Sequence, residues 1–398
     1  MSLTFDIFCR VVDNYGDIGV CWRLARRLTH ELGNGSVRLW VDDLRSFARI
    51  AEGVDIGAYE QRVRGITVCH WGTDFEAVEP ARVVIEAFAC ELPSAFVRRM
   101  DAKRIWINLE YLSAEDWVES CHGLPSPQPG GRQKHFFFPG FTSRTGGLLR
   151  EPGLVEQRKA WQADPTARMG LLRDLDVPPI WRQRLEAGGQ LVYVFSYPEA
   201  PIQGLLDGLA ASGRQTLILM PERASSSLRN TPASTTASPP GTISPKTSVK
   251  PSIHPHQNKG HDTEVAVHTL PFVDQTVFDQ LLWSSDLNIV RGEDSLIRAV
   301  WAGRPMIWQP YLQEGNLHLE KLEAWLDRTP YPELICELMR AWSTGDAAQV
   351  AALLPAALDG PAFDAWNIAT EDYCADLTQT DDLATRLLRF CTDLQQTR

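Results

Sequence analysis

The sequence predicts an α/β protein built from two Rossmann-like domains that face each other across a cleft. Short apolar segments typical of buried strands alternate with amphipathic segments typical of helices, first over residues 1–155 and again from residue 191 onwards. This β-α-β alternation is the pattern of parallel sheets covered by helices. A length of 398 residues and a hydrophobic fraction of 44% agree with two domains that each bury a large core.

The first series of elements begins with a strand at residues 4–9, a glycine-containing loop at 11–19 and an amphipathic helix at 20–32. A second strand at 37–41 and a second helix at 44–51 follow. Further short apolar strands are predicted at residues 67–69, 83–85 and 105–108.

The second series follows a segment rich in Pro and Gly at 124–147, where we expect a long ordered loop, and a predicted helix at 154–177. Its strands are predicted at residues 191–195, 216–220, 265–270, 287–290 and 305–308. Between the second and third of these strands, residues 224–262 are rich in Ser, Thr and Pro and have almost no periodic apolar pattern. We predict a disordered surface insertion there.

The domain boundaries follow from these two series. We place the N-terminal domain at residues 1–155 and the C-terminal domain, with its insertion, at residues 156–376. One more helix is predicted at 377–394, and we expect the segment 377–398 to pack back on the N-terminal domain.

Composition argues against several classes of function. A net charge of −11 and a pI of about 5.4 disfavour nucleic acid and anionic membrane surfaces as partners, although they suit a cationic substrate group. No apolar run approaches the ~18 residues of a membrane span, and residues 1–30 do not have the pattern of a signal peptide, so we expect a cytoplasmic protein. The sequence has no Cys-x-x-Cys pair and no cluster of histidines with the eight cysteines, so we predict no metal site.

The stretch at residues 287–311 predicts a strand, a loop, a helix that begins at residue 296, and a second strand. In open α/β sheets ligands bind at the carboxyl ends of strands, and a helix N-terminus there suits a phosphate. The loop holds four polar side chains, Arg291, Glu293, Asp294 and Ser295. We expect Arg291 to hold a diphosphate and Glu293 to face the reacting centre. Two alternatives stay open: Asp294 only caps the helix, and Arg291 and Glu293 only form an ion pair.

The first loop does not have the Gly-x-Gly-x-x-Gly fingerprint of dinucleotide binding. It carries Asp13 and Asp17 at the mouth of the first sheet, where Gly16 and Gly19 allow a tight turn into the helix. Two carboxylates there would repel the phosphates of a dinucleotide, but they suit a cation or an acid–base role. The alternative is that Asp17 only caps the helix.

Aromatic residues follow two predicted strands of the C-terminal domain. The candidates for contact with a nucleotide base are Phe195, Tyr197, Phe272 and Gln275. An aromatic ring can stack on a base while Gln275 reads its edge; core packing is the alternative for Tyr197 and Phe272. Because no Asp-x-Asp motif stands at a strand end, we expect Arg291, Tyr311 and the helix N-terminus to stabilise a leaving diphosphate without a metal.

A set of unusual motifs is spread along both halves of the chain. They are DIFC at 6–9, the loop at 11–19, CWRLA at 21–25, LWVDD at 39–43, NLEYLSAE at 108–115, FFPGF at 137–141, TGGL at 145–148, FSY at 195–197, PFV at 271–273 and RGEDS at 291–295. Together these motifs resemble one known family, the bacterial protein-arginine rhamnosyltransferases of elongation factor P, or EarP family. The resemblance covers nearly the whole chain apart from the insertion at 224–262.

This resemblance implies a GT-B fold and an inverting transfer of L-rhamnose from dTDP-β-L-rhamnose to one arginine of elongation factor P, with no cofactor. By the same resemblance, Asp13 and Asp17 match an acidic catalytic pair, with Asp17 the expected base. Glu293 matches the sugar-diphosphate site, and its carboxylate makes it a further catalytic candidate. The implied nucleotide-sugar site comprises Tyr15, Gly16, Phe195, Tyr197, Phe272, Gln275, Arg291, Gly292, Asp294, Ser295 and Tyr311.

The chemistry of these residues agrees with that expectation. A guanidinium group is protonated at neutral pH and is a poor nucleophile because its lone pair is delocalised. Carboxylates can grip it through paired hydrogen bonds and accept its proton as the new bond forms. We expect Asp17 to do this, helped by Asp13 or Glu293.

Two other classes of function remain as alternatives. A nucleotide-sugar epimerase can share the two-domain architecture, and it would convert the nucleotide sugar with no protein acceptor present. A non-catalytic protein that holds a partner in the cleft would not need an intact Asp17 or Glu293, and both are present. An NAD-dependent oxidoreductase is disfavoured by the missing glycine fingerprint.

Overall fold

The computed structural model describes residues 3–12, 15–72, 75–222, 253–257 and 264–397. These residues form two separate sheets with parallel centres and many helices, so the predicted α/β class is confirmed. No helix within the described ranges is both long and apolar enough to cross a membrane.

The first sheet is formed by the N-terminal half. Its described strands are β1 (Phe5–Cys9), β2 (Val37–Val41), β3 (Glu60–Val63), β4 (Ile66–His70), β5 (Val83–Ala87), β6 (Ile105–Leu109), β7 (Pro125–Gln128) and β8 (Arg132–Phe137). Their order is β3-β4-β2-β1-β5-β6-β8-β7, with a parallel centre and an antiparallel strand at each edge. Strands β1 and β5 are buried along their whole length, which explains their nearly continuous apolar sequences.

The second sheet is formed by the C-terminal half. Its described strands are β9 (Gln190–Val194), β10 (Thr216–Pro221), β11 (Ile253–Gln257), β12 (Glu264–Leu270), β13 (Leu287–Arg291) and β14 (Met306–Gln309). Their order is β11-β12-β10-β9-β13-β14, and every neighbouring pair is parallel except β11 with β12. Strand β13 therefore lies inside the sheet, and its carboxyl end leads directly into the next helix.

Helices connect the strands of both sheets. They are α1 (Gly16–Leu32), α2 (Leu44–Ile50), α3 (Ser94–Arg99), α4 (Trp117–Cys121), α5 (Leu154–Ala163), α6 (Ala167–Asp174), α7 (Pro179–Glu186), α8 (Ile202–Ala211), α9 (Gln275–Ser284), α10 (Gly292–Ala302), α11 (Leu317–Leu326), α12 (Glu333–Thr344), α13 (Ala347–Ala357), α14 (Gly360–Thr378) and α15 (Leu383–Gln396). In α15, Leu383, Leu387 and Cys391 are buried in the same apolar cluster as strand β1. The chain thus returns to the first sheet at its C-terminal end.

Two segments differ from their predicted conformation. Residues 124–147 contain the hairpin β7–β8, whose turn at 130–131 consists of two glycines with φ of 77° and 74°. The prolines of β7 are tolerated because this strand is at the edge of the sheet, where a missing N–H does no harm. The single helix predicted at 154–177 is divided into α5 and α6, because Pro165 cannot continue helix α5.

Two further predictions need correction. The last helix, predicted at 377–394, begins later, at Leu383, because residues 377–378 are the end of α14. The Asp382 carboxylate caps α15 by accepting the N–H of Ala384. Strand β11 lies inside the predicted disordered insertion and pairs with β12, so that prediction is wrong for Ile253–Gln257. The remainder of the insertion up to residue 262 lies outside the described residues.

Helices α1 and α10 both begin earlier than predicted. They begin at Gly16 and Gly292 instead of residues 20 and 296, and Gly292 adopts a φ of 63° that favours glycine. The N-cap positions are Tyr15 and Arg291, and neither side chain makes a capping hydrogen bond. The alternative that Asp17 or Asp294 serves as an N-cap is therefore wrong. These acidic side chains lie inside the first turns, where the helix dipole favours a negative charge.

Helix α8 packs against α13 closely enough to require a glycine. A Cβ at Gly204 would lie 2.3 Å from the carbonyl oxygen of Ala347. We expect Gly204→Ala to lower the free energy of unfolding by about 1–3 kcal/mol, because the backbone of α13 must move.

Gly170→Ala is the matched control for this prediction. Gly170 lies inside α6 with nothing within 4 Å of an added Cβ, so the substitution should stabilise the protein by about 0.5–1 kcal/mol. Urea unfolding followed by circular dichroism measures both variants. A Gly204→Ala protein as stable as the Gly170→Ala protein would contradict the close approach.

Candidate active site

The first turns of helices α1 and α10 line the cleft between the two sheets. Each helix follows a strand inside its sheet, β1 or β13, so both turns lie at the carboxyl ends of parallel strands. Two cavities adjoin here and share a wall formed by Gly16, Gly292, Glu293 and Asp294. We call the cavity lined by Asp17 the acidic chamber and the cavity lined by Phe195 and Phe272 the aromatic chamber.

The acidic chamber has an open volume of about 770 Å³ and takes its lining from both halves of the chain. Asp17 is 3% exposed, and its Oδ2 accepts a hydrogen bond from the N–H of Val12 at 2.8 Å. Glu293 Oε2 accepts a hydrogen bond from the N–H of Leu112 at 2.7 Å. Backbone donors of the N-terminal half therefore orient both carboxylates. The other predicted catalytic residue, Asp13, lies outside the described residues.

Three long side chains complete the wall of the acidic chamber. Tyr311, a predicted site residue, is 50% exposed, and its ring makes an edge contact with that of Tyr197 at 5.6 Å. Tyr111 and Lys321 also line the chamber, and the Lys321 ammonium lies 3.8 Å from Glu293 Oε1. Our sequence reasoning missed both. Tyr111 occurs in the motif at 108–115 without a pattern that indicates its role, and Lys321 is a single lysine on α11.

The Asp294 carboxylate links the two halves. Its Oδ1 lies 3.2 Å from Nε of Arg23 on α1. Burial raises the pKa of Asp294, and the positive charges of Arg23 and Arg298 act against that increase. Although Asp294 lines both chambers, its carboxylate contributes to the contact between α1 and α10.

The aromatic chamber has an open volume of about 520 Å³ and is lined by Phe195, Phe272, Gln275 and Arg291 among others. The guanidinium carbon of Arg291 lies 4.8 Å from the centre of the Phe195 ring and 4.4 Å from that of Tyr197. Tyr197 is buried behind Arg291 and supports it, while Phe195 borders the open space. Stacking on two rings holds the arginine in place.

Residues on the opposite side of the aromatic chamber connect it to helix α1. The rings of Tyr15 and Phe272 pack with their centres 4.4 Å apart. Gln275 Nε2 donates to the carbonyl oxygen of Gly19 at 3.2 Å, and its buried Oε1 has no hydrogen-bond partner among the described residues. A buried acceptor of this kind suits the N–H edge of a bound ligand.

Ser295 and Gly292 shape the turn into helix α10. The Ser295 hydroxyl accepts the N–H of Arg291 at 3.1 Å and also donates to the Arg291 carbonyl oxygen. The carbonyl oxygen of Gly292 accepts the indole N–H of Trp308 at 2.8 Å. These bonds fix the turn, so the N–H groups of the first turn of α10 have a defined direction. Within the described residues, no group of three or more His, Cys, Asp or Glu side chains could hold a metal ion.

A buried ionic network, which sequence reasoning also missed, joins α1 to α9 and α10. The Asp279 carboxylate accepts two hydrogen bonds from Arg23, both 3.1 Å, and two from Arg298, 2.9 and 2.7 Å. Glu151 adds contacts to Arg23 at 3.3 Å and to Arg298 at 2.6 Å. Arg23 and Asp279 are 256 residues apart in sequence, so no local pattern could predict this network.

The network controls the protonation of Glu151. Burial acts to raise the pKa of Glu151, but the charges of Arg298 and Arg23 outweigh it and bring the pKa to about 2. The usual glutamate pKa is about 4.3, so the ionised group stabilises the fold above that pH. This contribution is lost as the pH falls towards the pKa of the folded state.

The fold and the site together define a class of protein. Two sheets with parallel centres face each other across a cleft, and an aromatic chamber with a stacked arginine adjoins an acidic chamber. This is the architecture of a GT-B glycosyltransferase, so the predicted fold is confirmed.

Comparison with known proteins defines the family. The family model described as Elongation-Factor P (EF-P) rhamnosyltransferase EarP matches residues 5–392. The chain is 47% identical over 331 residues to the protein-arginine rhamnosyltransferase of Pseudomonas putida. This match covers 82% of this chain and 81% of the relative. It is 41% identical over 401 residues to the protein-arginine rhamnosyltransferase of Pseudomonas aeruginosa. That match covers 98% of this chain and 99% of the relative.

The chain is also similar to a solved structure, with a TM-score of 0.59 and 29% sequence identity. That structure is described as the structural basis for EarP-mediated arginine glycosylation of translation elongation factor EF-P. The match covers 98% of this chain and 99% of that chain. The chain therefore belongs to the EarP family of elongation factor P rhamnosyltransferases, as its motifs predict. Its activity is that of a protein-arginine rhamnosyltransferase.

The buried network should dominate the stability of the contact between the two halves. We expect Arg298→Met to lower the free energy of unfolding by roughly 3–5 kcal/mol, because it leaves Asp279 and Glu151 buried with one cation fewer. Arg340→Met is the matched control, since Arg340 pairs with Glu323 and Glu333 on an exposed surface and should contribute ~1 kcal/mol or less. Urea denaturation compares them, and equal effects of the two variants would contradict the role of the network.

Proposed function

We propose that this chain transfers L-rhamnose from dTDP-β-L-rhamnose to one arginine side chain of elongation factor P, with inversion at the anomeric carbon. The observation that carries the proposal is the pair of adjoining chambers. One has rings, an arginine and a helix N-terminus for a nucleoside diphosphate, and the other has carboxylates for a cation. The rhamnosyl group, the arginine and elongation factor P are those in the names of the family, the relatives and the solved structure. The dTDP carrier is the one that the resemblance of the motifs implies.

The aromatic chamber suits the donor. Phe195 and Phe272 border a space in which the thymine ring can stack, and the unsatisfied Gln275 Oε1 can accept its N–H. Arg291 and the first turn of α10, from Gly292 to Ser295, offer positive charge and N–H groups to the diphosphate. Tyr311 lines the acidic chamber and packs against Tyr197, the ring behind Arg291, so its hydroxyl can donate a hydrogen bond to the leaving phosphate.

The acidic chamber suits the acceptor. A guanidinium group there can bind Asp17 and Glu293 from two sides, and Asp13 remains a further candidate. We assign the role of general base to Asp17, because it is more deeply buried than Glu293, 3% against 22% exposed. A backbone N–H holds one oxygen of each carboxylate. An arginine gripped in this way loses part of its delocalisation as its proton moves to the carboxylate.

The chemical step follows from this arrangement. The arginine nitrogen attacks the anomeric carbon from the face opposite the diphosphate, the bond from that carbon to the phosphate oxygen breaks, and Asp17 takes the proton from nitrogen. The departing dTDP carries the bonding electron pair, and Arg291 with the N-terminus of α10 stabilises its charge. We expect no requirement for a metal ion and place the reaction in the cytoplasm, with no role for nucleic acid or membrane.

The intact mass of elongation factor P tests the proposed function. We would incubate Pseudomonas putida elongation factor P with this protein and dTDP-β-L-rhamnose in the presence of EDTA. We expect a gain of one deoxyhexose, located on a single arginine by peptide mapping. An unmodified acceptor with intact donor would contradict the substrates, and an unmodified acceptor with converted donor would favour the nucleotide-sugar epimerase.

Asp17→Asn tests the assignment of the base. Asparagine keeps the size of the side chain and an oxygen that can accept the N–H of Val12, but it cannot take a proton. We expect transfer to fall by at least about a hundredfold, within the range for loss of a general base, while dTDP binding measured by calorimetry stays within about twofold.

Asp42→Asn is the matched control. The Asp42 carboxylate accepts the N–H of Val11 at 2.9 Å, so it has the same kind of contact beside the same loop. We expect its transfer rate to match the wild type. Equal rates for Asp17→Asn and Asp42→Asn would show that Asp17 is not the base.

A further inference from the structure

Tyr111 presents an aromatic surface to the acidic chamber. Its ring stacks on that of Phe88, with the centres 4.5 Å apart and an angle of 19° between the planes, and it remains 39% exposed. The support beneath it is unusual, because Phe88 and Ala89 both have positive φ, 56° and 52°, at the end of strand β5. Positive φ is uncommon for residues other than glycine, and such positions cluster at functional sites.

The ammonium group of Lys321 lies over the ring of Tyr111. Its ammonium nitrogen lies 5.7 Å from the centre of the Tyr111 ring and 3.8 Å from Glu293 Oε1. The ring and the carboxylate are the two kinds of group that a guanidinium binds most readily. Tyr111 belongs to the N-terminal half, whereas Lys321 and Glu293 belong to the C-terminal half, so the cation lies between the walls of the chamber.

We propose that Tyr111 and Glu293 form the binding subsite for the acceptor guanidinium, and that Lys321 occupies this subsite until the acceptor displaces it. The inference rests on the proposed function, since it requires an arginine acceptor. Lys321 is then a specificity-determining residue, because it competes with every incoming cation for the same ring and the same carboxylate.

The contacts of Lys321 are weak enough to be exchanged. The ammonium of Lys321 and the carboxylate of Glu293 are 3.8 Å apart, which is long for an ion pair. Their side chains are 25% and 22% exposed, so solvent also weakens the attraction. A guanidinium is less strongly hydrated than an ammonium group, and its planar shape stacks on a ring and binds a carboxylate through two hydrogen bonds. An arginine therefore displaces Lys321, whereas an acceptor lysine brings no advantage over the lysine already present.

Three variants at positions 321 and 111 test whether Lys321 competes with the acceptor. The KM for elongation factor P should fall by about threefold in Lys321→Met, which removes the competing charge, and rise by about threefold in Lys321→Arg, which strengthens the competitor. Tyr111→Leu should raise the same KM by about fivefold because the stacking surface is lost. The KM for dTDP-β-L-rhamnose should stay within about twofold in all three, since the donor contacts are elsewhere.

Lys134→Met is the matched control. Lys134 also lies over an aromatic ring, 5.2 Å from the centre of Trp106, and pairs with a carboxylate, Glu86, at 3.2 Å. Neither partner lines the two chambers. We expect Lys134→Met to lower the thermal midpoint and to leave the KM for elongation factor P unchanged.

The outcomes separate this inference from the proposed function. If the wild-type protein transfers no rhamnose, the proposed function fails. If it transfers rhamnose but both Lys321 variants raise the KM for elongation factor P, Lys321 only supports the structure and the inference is wrong. If the KM for the donor changes instead, Lys321 contacts the nucleotide sugar, which also overturns the inference.

Discussion

The arrangement of the cleft depends on the ionic network of Arg23, Asp279, Arg298 and Glu151. Two guanidinium groups share one aspartate in a setting from which water is nearly excluded, with the arginines 1% and 2% exposed. Burying these charges costs several kcal/mol for each ion, and only the complete set of partners offsets that cost. The network therefore favours one relative position of helix α1 and helices α9 and α10. That position puts Asp17 and Glu293 into the lining of the same chamber.

This constraint divides the cleft into two environments that suit opposite charges. The first turn of α10 exposes N–H groups and stands beside Arg291, so one side favours a diphosphate. The carboxylates of the other side favour a cation. Because Gly292 and Glu293 belong to both walls, the anomeric carbon of a donor would lie at the boundary of the two chambers. A protein substrate then has to insert only one side chain.

The sequence was sufficient to predict the two β-α-β series, because buried parallel strands and amphipathic helices have distinct periodicities. It placed Phe195, Phe272, Arg291 and Glu293 at strand ends, where the structure brings them to the cleft. It could not predict that glycines open α1 and α10, since capping rules favour Asp17 and Asp294. The network, Tyr111 and Lys321 escaped prediction because their contacts join segments distant in sequence and follow no local pattern.

A crystal structure of this protein with dTDP and elongation factor P bound together would show which chamber holds which substrate. We predict thymine between Phe195 and Phe272, the diphosphate at Arg291 and the first turn of α10, and one acceptor guanidinium within hydrogen-bond distance of Asp17 and Glu293. A guanidinium bound outside the acidic chamber, or a nucleotide bound inside it, would show that the shared wall does not separate donor from acceptor.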